Sequence, residues 1–265
     1  TPPLSAWEGL PSHIERNFRR LLEMFDQAGV KTTCFFLGWV GERFPHLVRE
    51  AAEGGHEIAS HGYAHRLVHS QTRDEFYADA LRAREVLEEV AGVPVRGYRS
   101  AGFSINEDTG WFFEALLEAG YAYDSSVFPA SHGHGGLHGA NRAPHKRQYA
   151  SGTLAEFPIT VADFAGKPMC FFGGGYLRLF PYGLIRRQAG QVLREGRPVV
   201  FYIHPREIDP DHPRLPMGWK RRFKSYVNLR STPRKIERIL REFRLTTFRD
   251  YLARYGETLP HERCV

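Results

Sequence analysis

Cysteine is scarce in this chain, which has three such residues among 265. Their number is odd, their spacing is wide and no C-x-x-C pair occurs, which excludes a disulfide framework and predicts reduced thiols at Cys34, Cys170 and Cys264. No apolar run is long enough for a membrane-spanning helix, and no signal peptide is visible. The chain starts without methionine, at Thr1, so we expect upstream residues to be missing. A cytoplasmic or membrane-peripheral protein is expected, and a periplasmic location stays open because of the incomplete start.

The composition is that of an ordinary globular protein with a substantial core, with 42% hydrophobic and 25% charged residues. The length suits one large domain or two small ones, and no linker divides the chain, so we expect a single domain over residues 1–265. The net charge of +6 favours anionic partners such as nucleic acid, acidic glycans or lipid headgroups, without selecting among them.

Strand and helix patterns alternate along the chain, which predicts an α/β fold with a parallel sheet. Apolar strands are expected at "VKTTCFFLG", "HEIASH", "VRGYRS", "YAYDSS", "GTLAEFPIT", "RPVVFYIHP" and "RLTTF". Helices are expected from Ser12 to Gly29, over "PHLVREAAEGG", from a capping box at Thr72 and Glu75 to Val90, and over 107–119, 181–195, 232–243 and 249–254. The Gly- and His-rich segment 129–153 is expected to be irregular. The number of units favours a (β/α) barrel over an open doubly wound sheet.

Polar side chains stand at the ends of four predicted strands. His61 closes "HEIASH", Arg99 closes "VRGYRS", Asp124 closes "YAYDSS" and His204 closes "PVVFYIH". Barrel enzymes place their chemistry at the carboxyl ends of the strands, so these residues are expected on one rim. Taken singly, Arg99 could pair with a surface carboxylate, Asp124 could cap a turn and His204 could be a satisfied core histidine. Their convergence favours a functional site.

Histidines recur every four residues in "SHGYAHRLVHS", at His61, His65 and His69. Imidazoles four residues apart share one face of a helical turn, about 6 Å apart, so His61 and His65 could hold one metal ion. His69 is expected to point outward or toward substrate. A second pair with this spacing, His134 and His138, lies in a glycine-rich loop that no strand precedes. We interpret that pair as part of a flexible polar loop.

Four ordered segments resemble the motifs of the polysaccharide deacetylases, the NodB-like carbohydrate esterase group. "FFLGWVGERFPHLVREAAEGGHEIASHGYAHRLV" carries the H-x-x-x-H motif, "RGYRSAGFSI" resembles the arginine motif, "YAYDSSVFP" the aspartate motif and "FYIHPREID" the terminal histidine motif. "EFPIT" and "GGGYLRLFP" are similar to the branch found beside exopolysaccharide-assembly genes. The resemblance covers nearly the whole chain and implies a distorted (β/α) barrel.

The resemblance implies a hydrolase that removes N-acetyl groups from N-acetylated sugars of a polysaccharide or its lipid-linked precursor. It implies one divalent metal, in first place Zn²⁺, held by His61 and His65. His204 would protonate the departing amine, because imidazole changes its charge near neutral pH. By the family pattern, Asp124 would orient His204 and stabilise its charged form, and Arg99 would orient the catalytic base.

Substrate contacts are expected from Phe103, in the arginine motif, and from Tyr176, in "GGGYLRLFP". The triple glycine lacks the Gly-Lys-Ser/Thr ending of a phosphate loop, so nucleotide binding is not expected. The alternative for this segment is a turn before the helix that follows it.

The chain departs from the family pattern in two places. Ala101 stands where the family has proline after the arginine, so a local loop change is expected. Nothing before the first helix matches the family's first motif, a strand that ends in two acidic residues, one a metal ligand and one the general base. We expect this strand, with an aspartate ligand, upstream of Thr1. If the acidic motif is truly absent, a glycan-binding pseudoenzyme is the alternative function.

The stretch 219–244 is basic and contains Trp219, Phe223 and Tyr226. Nucleic-acid-binding modules have such a composition, which makes them a second alternative, but a solvated helix face with a loop is the simpler interpretation. The same charge suits an anionic or lipid-linked glycan and a peripheral membrane contact. An N-acetylated oligo- or polysaccharide is therefore the expected partner, and nucleic acid is not.

Overall fold

The computed structural model describes residues 4–131, 133–216 and 218–263 of the chain. The pattern of contacts divides these residues into two compact units, the first comprising 31–159 and 246–263, and the second 4–30 and 160–245. The interpretation of residues 1–265 as a single domain stays a prediction. Cys264 and the strand expected upstream of Thr1 lie outside the described residues.

The helices and strands are numbered in chain order. The α-helices are α1 (Ile14–Gln27), α2 (Gly38–Arg43), α3 (Pro45–Glu53), α4 (Arg73–Ala91), α5 (Phe112–Glu118), α6 (Gly174–Leu179), α7 (Tyr182–Arg194), α8 (Trp219–Tyr226), α9 (Thr232–Glu242) and α10 (Phe248–Tyr255). The strands are β1 (Thr33–Phe36), β2 (Glu57–Ser60), β3 (Gly97–Tyr98), β4 (Tyr123–Asp124), β5 (His145–Tyr149), β6 (Gly152–Glu156), β7 (Ala162–Phe164), β8 (Lys167–Met169) and β9 (His261–Arg263). Among the described residues, none of the helices has the length and apolar character needed to cross a membrane.

The first unit is built on a seven-stranded sheet with the order β1-β2-β3-β4-β6-β5-β9. The strands β1, β2, β3, β4 and β6 run parallel, β5 is antiparallel to β6, and β9 is parallel to β5. All four residues of β2 are buried, as is usual for a strand inside a parallel sheet. This mixed α/β fold with a parallel sheet confirms the predicted fold class, and a barrel-like arrangement is consistent with it.

The register places three predicted site residues at one end of adjacent strands. Ser60 of β2 pairs with Tyr98 of β3, and Tyr98 pairs with Asp124 of β4. His61 and Arg99 directly follow their strands, and the Arg99 amide donates to the Ser60 carbonyl over 2.9 Å. The strand-end rule therefore places His61, Arg99 and Asp124 correctly along this sheet.

A close crossing fixes β3 against its neighbours. A Cβ atom on Gly97 would lie 2.0 Å from the ring of Tyr123, so this ring crosses β3 where only glycine leaves room. The Tyr123 hydroxyl donates a 2.8 Å hydrogen bond to the buried carboxylate of Glu57, at the start of β2. The Tyr123 ring thereby links three adjacent strands, and it packs in a core cluster with Ala155, Phe157 and Leu259.

Most predicted helices are confirmed. α4 begins at the predicted capping box, in which the Thr72 hydroxyl accepts from the Glu75 amide and the Glu75 carboxylate accepts from the Thr72 amide. This helix buries an apolar stripe formed by Phe76, Ala80, Ala83 and Leu87. The helices α1, α3, α7, α9 and α10 also match predicted ones, whereas the segment 107–119 divides into a 3-10 turn and α5.

Two strand predictions are wrong, although both segments lie wholly in the described part of the chain. The run "RPVVFYIHP" forms no regular strand there, and a single bridge pairs its Tyr202 with Gly173. The segment "RLTTF" forms no strand either and leads into α10, which Thr247 caps. A short apolar run cannot be assigned by composition alone, because buried strands and other buried segments share it.

The segment 129–153, predicted to be irregular, contains β5 and the start of β6, which form an antiparallel hairpin. That prediction is wrong for its second half. β5 is only partly buried, so its sequence, "HKRQY", is polar and lacks the apolar pattern by which a strand is predicted.

The second unit contains α1, the β7–β8 hairpin and the helices α6 to α9. Polar residues of α1 and its N-cap bind the buried carboxylate of Asp209: His13 Nδ1 at 2.7 Å, Arg16 at 2.9 Å and Asn17 at 3.0 Å. These bonds fasten α1 to the segment that follows His204.

The thiols agree with the prediction where the structure describes them. Cys34 of the first unit and Cys170 of the second are buried and free of disulfides. Burial raises the pKa of both thiols, to about 12 for Cys34 and about 11 for Cys170, so both are neutral at physiological pH.

Candidate active site

The histidine pair leaves the end of β2 through an irregular turn. Residues 61–67 are not helical, so the helical turn expected between His61 and His65 is wrong. The backbone instead passes through two left-handed positions, Gly62 at φ 75° and His65 at φ 50°. The two imidazole rings nevertheless meet, with 5.1 Å between their centroids. The pair is brought together as predicted, by a different backbone path.

Asp79 of α4 holds this turn in place. Its carboxylate accepts the Tyr63 amide at 2.7 Å and the Ala64 amide at 3.2 Å. Burial raises the pKa of Asp79, and these two amide hydrogen bonds oppose the rise. A Cβ atom on Gly62 would lie 2.9 Å from the same carboxylate, so the close approach needs glycine. Asp79 is not among the residues predicted from sequence, although an acidic residue beside the buried stripe of an amphipathic helix is a signal for such a role.

Arg99 supports the site through its backbone and its side chain. Its carbonyl oxygen accepts a 2.6 Å hydrogen bond from His61 Nδ1. Because a carbonyl can only accept, Nδ1 carries the proton, and Nε2 is the nitrogen suited to a metal. The Arg99 guanidinium donates to the carbonyl and hydroxyl oxygens of Ser125 at 3.2 and 2.9 Å, and it stacks 4.1 Å from the Phe35 ring centroid.

Asp124 belongs to a buried pair of carboxyl groups. Asp124 on β4 and Glu156 on β6 are register partners on adjacent parallel strands, and neither is exposed to solvent. Asp124 accepts hydrogen bonds from the Ser126 amide at 3.0 Å and from its hydroxyl at 2.5 Å, while Glu156 accepts one from the Val127 amide at 3.2 Å.

Burial raises the pKa of both carboxyl groups. It raises the pKa of Asp124 to about 6, with the hydrogen bonds from Ser126 opposing the rise. Burial and the adjacent charge of Asp124 together raise the pKa of Glu156 well above its usual value. The two carboxyl groups therefore titrate as a coupled pair, and burial disfavours ionisation of both. Glu156 lies in the segment "EFPIT", and its pairing with Asp124 is not among the features predicted from sequence.

His204 lies in the second unit, immediately before the 3-10 turn Pro205–Ile208. Its side chain is 54% exposed, and its Nδ1 lies 3.4 Å from a carboxylate oxygen of Glu207. The other Glu207 oxygen accepts the His204 amide at 3.3 Å, and the buried Glu207 lies 3.6 Å from the Arg178 guanidinium. Glu207 is thus the carboxylate beside His204 within its own unit, a spacing of three residues that the sequence displays. The orientation of His204 by Asp124 stays a prediction.

The two predicted substrate contacts differ in exposure. Phe103 is buried and packs 6.2 Å from the Phe128 ring, in a turn where Gly102 and Phe103 are both left-handed, at φ 63° and 51°. Tyr176 of α6 is 37% exposed. Tyr176 is therefore accessible to a ligand, whereas Phe103 shapes the loop after Arg99, and the sugar-contact role of each stays a prediction.

The remaining candidate histidines are exposed. His69 lies on a 3-10 turn at the surface, as expected. His134 and His138 occupy an exposed loop, in agreement with their interpretation as polar loop residues.

The donor set fits a metal ion in part. Across the described ranges, no group of three His, Cys, Asp or Glu side chains is arranged to hold one. His61 and His65 have the adjacent rings that a shared ion needs, and the carbonyl hydrogen bond to His61 Nδ1 is the support that metal-binding histidines usually have. The two imidazoles therefore suit an ion that takes its other ligands from elsewhere.

Two family models match the chain. The polysaccharide deacetylase model matches residues 7–123, which include His61, His65 and Arg99. A domain of unknown function, DUF3473, matches residues 125–253, which include Glu156, His204 and Glu207.

Known proteins resemble the chain in sequence and in fold. A peptidoglycan-N-acetylglucosamine deacetylase of Bacillus cereus is 34% identical over 73 residues, which cover 28% of this chain and 26% of that protein. The chain thus spans about a quarter of that relative's length.

Two crystal structures share the fold over most of the chain. One, from Mycobacterium smegmatis and assigned as a polysaccharide deacetylase, is 22% identical with a TM-score of 0.64, over 94% of this chain and 80% of the other. An allantoinase is 16% identical with a TM-score of 0.66, over 93% and 74%. At such low identity these two structures establish the fold alone. Residues 7–123 are therefore similar in sequence to the polysaccharide deacetylases, and the two structures share the fold of most of the chain.

Proposed function

We propose that this protein is a metal-dependent hydrolase that removes N-acetyl groups from N-acetylated sugars of a polysaccharide or its lipid-linked precursor. The observation that carries the proposal is the pair His61 and His65 at the end of β2, with His61 Nδ1 bonded to the Arg99 carbonyl. The matching family model and the deacetylase activity for which the Bacillus cereus relative is named support the reaction class. The assignment to the exopolysaccharide-locus branch is part of the same proposal.

In this proposal His61 and His65 hold one divalent metal ion, in first place Zn²⁺, because imidazole nitrogens suit that ion. A metal bound there supplies Lewis-acid chemistry, polarising an amide carbonyl and making water a stronger acid. Asp79 fixes the turn between the two histidines, so that both rings are oriented before any ligand arrives. The aspartate expected to complete the ligand set stays a prediction.

His204 is the proposed proton donor to the departing amine. Its exposure allows contact with a bound glycan, and a Glu207 carboxylate oxygen lies 3.4 Å from its Nδ1. Arg99 is proposed to orient the catalytic base, and Asp124 to contribute negative charge where it is ionised, with its pKa raised by burial to about 6. Tyr176 is proposed to contact the sugar from its exposed position.

Acetate release from N-acetylglucosamine oligomers by the natural full-length protein tests the proposal. His61→Ala should abolish both stoichiometric zinc binding and acetate release, whereas the matched variant His134→Ala should retain both. His204→Ala should lower kcat by roughly 10²–10⁴ while zinc binding is unchanged. If His61→Ala and His134→Ala lost zinc binding equally, the metal site would have to include the loop that contains His134. Glycan binding without acetate release from any N-acetylated substrate would replace the hydrolase with a glycan-binding pseudoenzyme.

A further inference from the structure

The positive charge of this protein is concentrated in one short stretch. Residues 219–244 contain ten Lys or Arg and two Glu, a net charge of +8, while the whole chain carries +6. The rest of the chain therefore has a net charge of −2. The basic character noted from the composition thus belongs to a single region, which includes α8 and α9 of the second unit.

Large apolar side chains protrude from the start of this region and from the loop before it. Trp219 is 75% exposed, Phe223 is 55% exposed and Leu215 is 40% exposed. Trp219 and Phe223 are four residues apart on α8, so they share one face of the helix. Exposed apolar patches on soluble proteins mark sites that bind proteins, ligands or membranes. We call Leu215, Trp219 and Phe223 the apolar patch.

Tyr226 links the loop that carries Leu215 to the end of α8. Its hydroxyl donates to the Pro213 carbonyl at 3.2 Å and accepts from the Leu215 amide at 3.0 Å, which fastens the loop before α8 to the end of that helix. The Arg214 guanidinium stacks 5.0 Å from the Tyr226 ring centroid. These bonds hold the loop that carries Leu215 against α8, the helix that carries the two aromatic rings.

Cations border this patch. Arg214 and Arg222 line a groove of about 340 Å³ together with Trp219 and Phe223. Both arginines and Lys224 are exposed, and α8 has no acidic residue in its sequence, "WKRRFKSY". Aromatic and aliphatic side chains surrounded by Lys and Arg are typical of helices that lie in a membrane interface. Trp in particular prefers the level of the lipid headgroups.

We propose that α8 and the preceding loop form a docking surface for an anionic lipid membrane. In this arrangement Trp219, Phe223 and Leu215 enter the boundary between headgroups and acyl chains, and the bordering cations contact lipid phosphates. A bilayer fits better than nucleic acid, because the aliphatic Leu215 has no ring to stack on a base, whereas it adds to apolar insertion. The surface is independent of the proposed hydrolysis, and its test needs no glycan.

Co-sedimentation with lipid vesicles tests the docking surface. The intact protein should bind vesicles that mix phosphatidylglycerol with phosphatidylcholine, and it should bind pure phosphatidylcholine vesicles far more weakly. Phe223→Ala should weaken binding to the anionic vesicles by about tenfold, because one large apolar side chain no longer inserts. The matched control Phe164→Ala removes another exposed phenylalanine, 40% exposed on β7, and should bind like the natural protein.

Arg222→Glu should weaken binding to the anionic vesicles more than Arg49→Glu, a change at an exposed position on α3.

Tryptophan fluorescence distinguishes insertion of side chains into the bilayer from electrostatic binding at the bilayer surface. Trp219 is one of four tryptophans and is 75% exposed, whereas the other three are partly buried. Brominated anionic lipids should quench its emission, and Trp219→Phe should lose this quenching while vesicle binding persists. Binding that is equal for anionic and neutral vesicles, or equal in Phe223→Ala and Phe164→Ala, would overturn the proposal. Tighter retention by single-stranded DNA than by anionic vesicles at the same salt concentration would instead assign the surface to nucleic acid.

Discussion

Replacing Asp124 with asparagine should stabilise the protein at neutral pH, although Asp124 is a proposed site residue. Its carboxyl group has no solvent exposure and faces Glu156, so ionisation there is costly. Asparagine keeps the shape and carries no charge at any pH. Its side-chain oxygen still accepts one hydrogen bond from Ser126, but the second bond from that residue is lost because an amide nitrogen donates and cannot accept.

The magnitude and the pH window follow from the pKa of Asp124. A rise from the usual 3.8 to about 6 corresponds to about 3 kcal/mol at a pH above both values. Because the folded-state pKa is the higher one, the folded protein binds more protons between about pH 4 and pH 6, and stability falls as pH rises through that window. Loss of one hydrogen bond offsets about 1 kcal/mol. The net expectation is that Asp124→Asn gains about 2 kcal/mol at pH 7 and loses about 1 kcal/mol below pH 4.

Urea unfolding of both proteins across this pH range measures the difference. The natural protein and Asp124→Asn should have the same denaturant dependence, and their free energies of unfolding should diverge as pH rises. Glu156→Gln is the companion variant, since it removes the neighbouring carboxyl group while keeping an acceptor for the Val127 amide. If Asp124→Asn lost the same stability at every pH, the Ser126 hydrogen bonds rather than burial of charge would dominate at this position.

Two further changes test the support of the site. Asp79→Ala should weaken zinc binding of the full-length protein by about 10–100-fold, because the turn between the histidines loses its two anchoring hydrogen bonds. Calorimetric titration measures this loss, and Asp74→Ala, on the exposed side of the same helix, should leave affinity unchanged. Gly97→Ala should cost about 3 kcal/mol in urea unfolding because the added methyl group collides with the Tyr123 ring, whereas Gly110→Ala, with open space around it, should cost little. Unchanged stability in Gly97→Ala would show that the ring moves aside freely.

The parts of the site that follow single strands were predictable from sequence. Alternation of strands and helices implies parallel neighbours, so polar residues at successive strand ends, His61, Arg99 and Asp124, had to meet at one edge. The residues that support them were not predictable in this way. Asp79 and Glu156 reach their partners across tertiary contacts, and no short-range pattern encodes which helix or strand comes to face them.

The segment before His204 shows a second limit. Its apolar run reads as a strand, because burial selects the same residue types whether or not a ladder forms. The hairpin of β5 and β6 was missed for the opposite reason, since a partly exposed strand can be polar. Pairing, which composition does not record, decided both cases.

The registration of His61, Arg99 and Asp124 depends on a very short length of peptide ladder. β3 and β4 have two residues each, extended by single hydrogen bonds from the Arg99 amide to Ser60 and from the Ser125 amide to Tyr98. Slippage by one residue would move a side chain about 3.3 Å and turn it to the opposite face. The relative heights of these three groups are therefore set by main-chain atoms. Substitution of surrounding side chains can therefore change the ligand affinity of the site while leaving the spacing of its three groups intact.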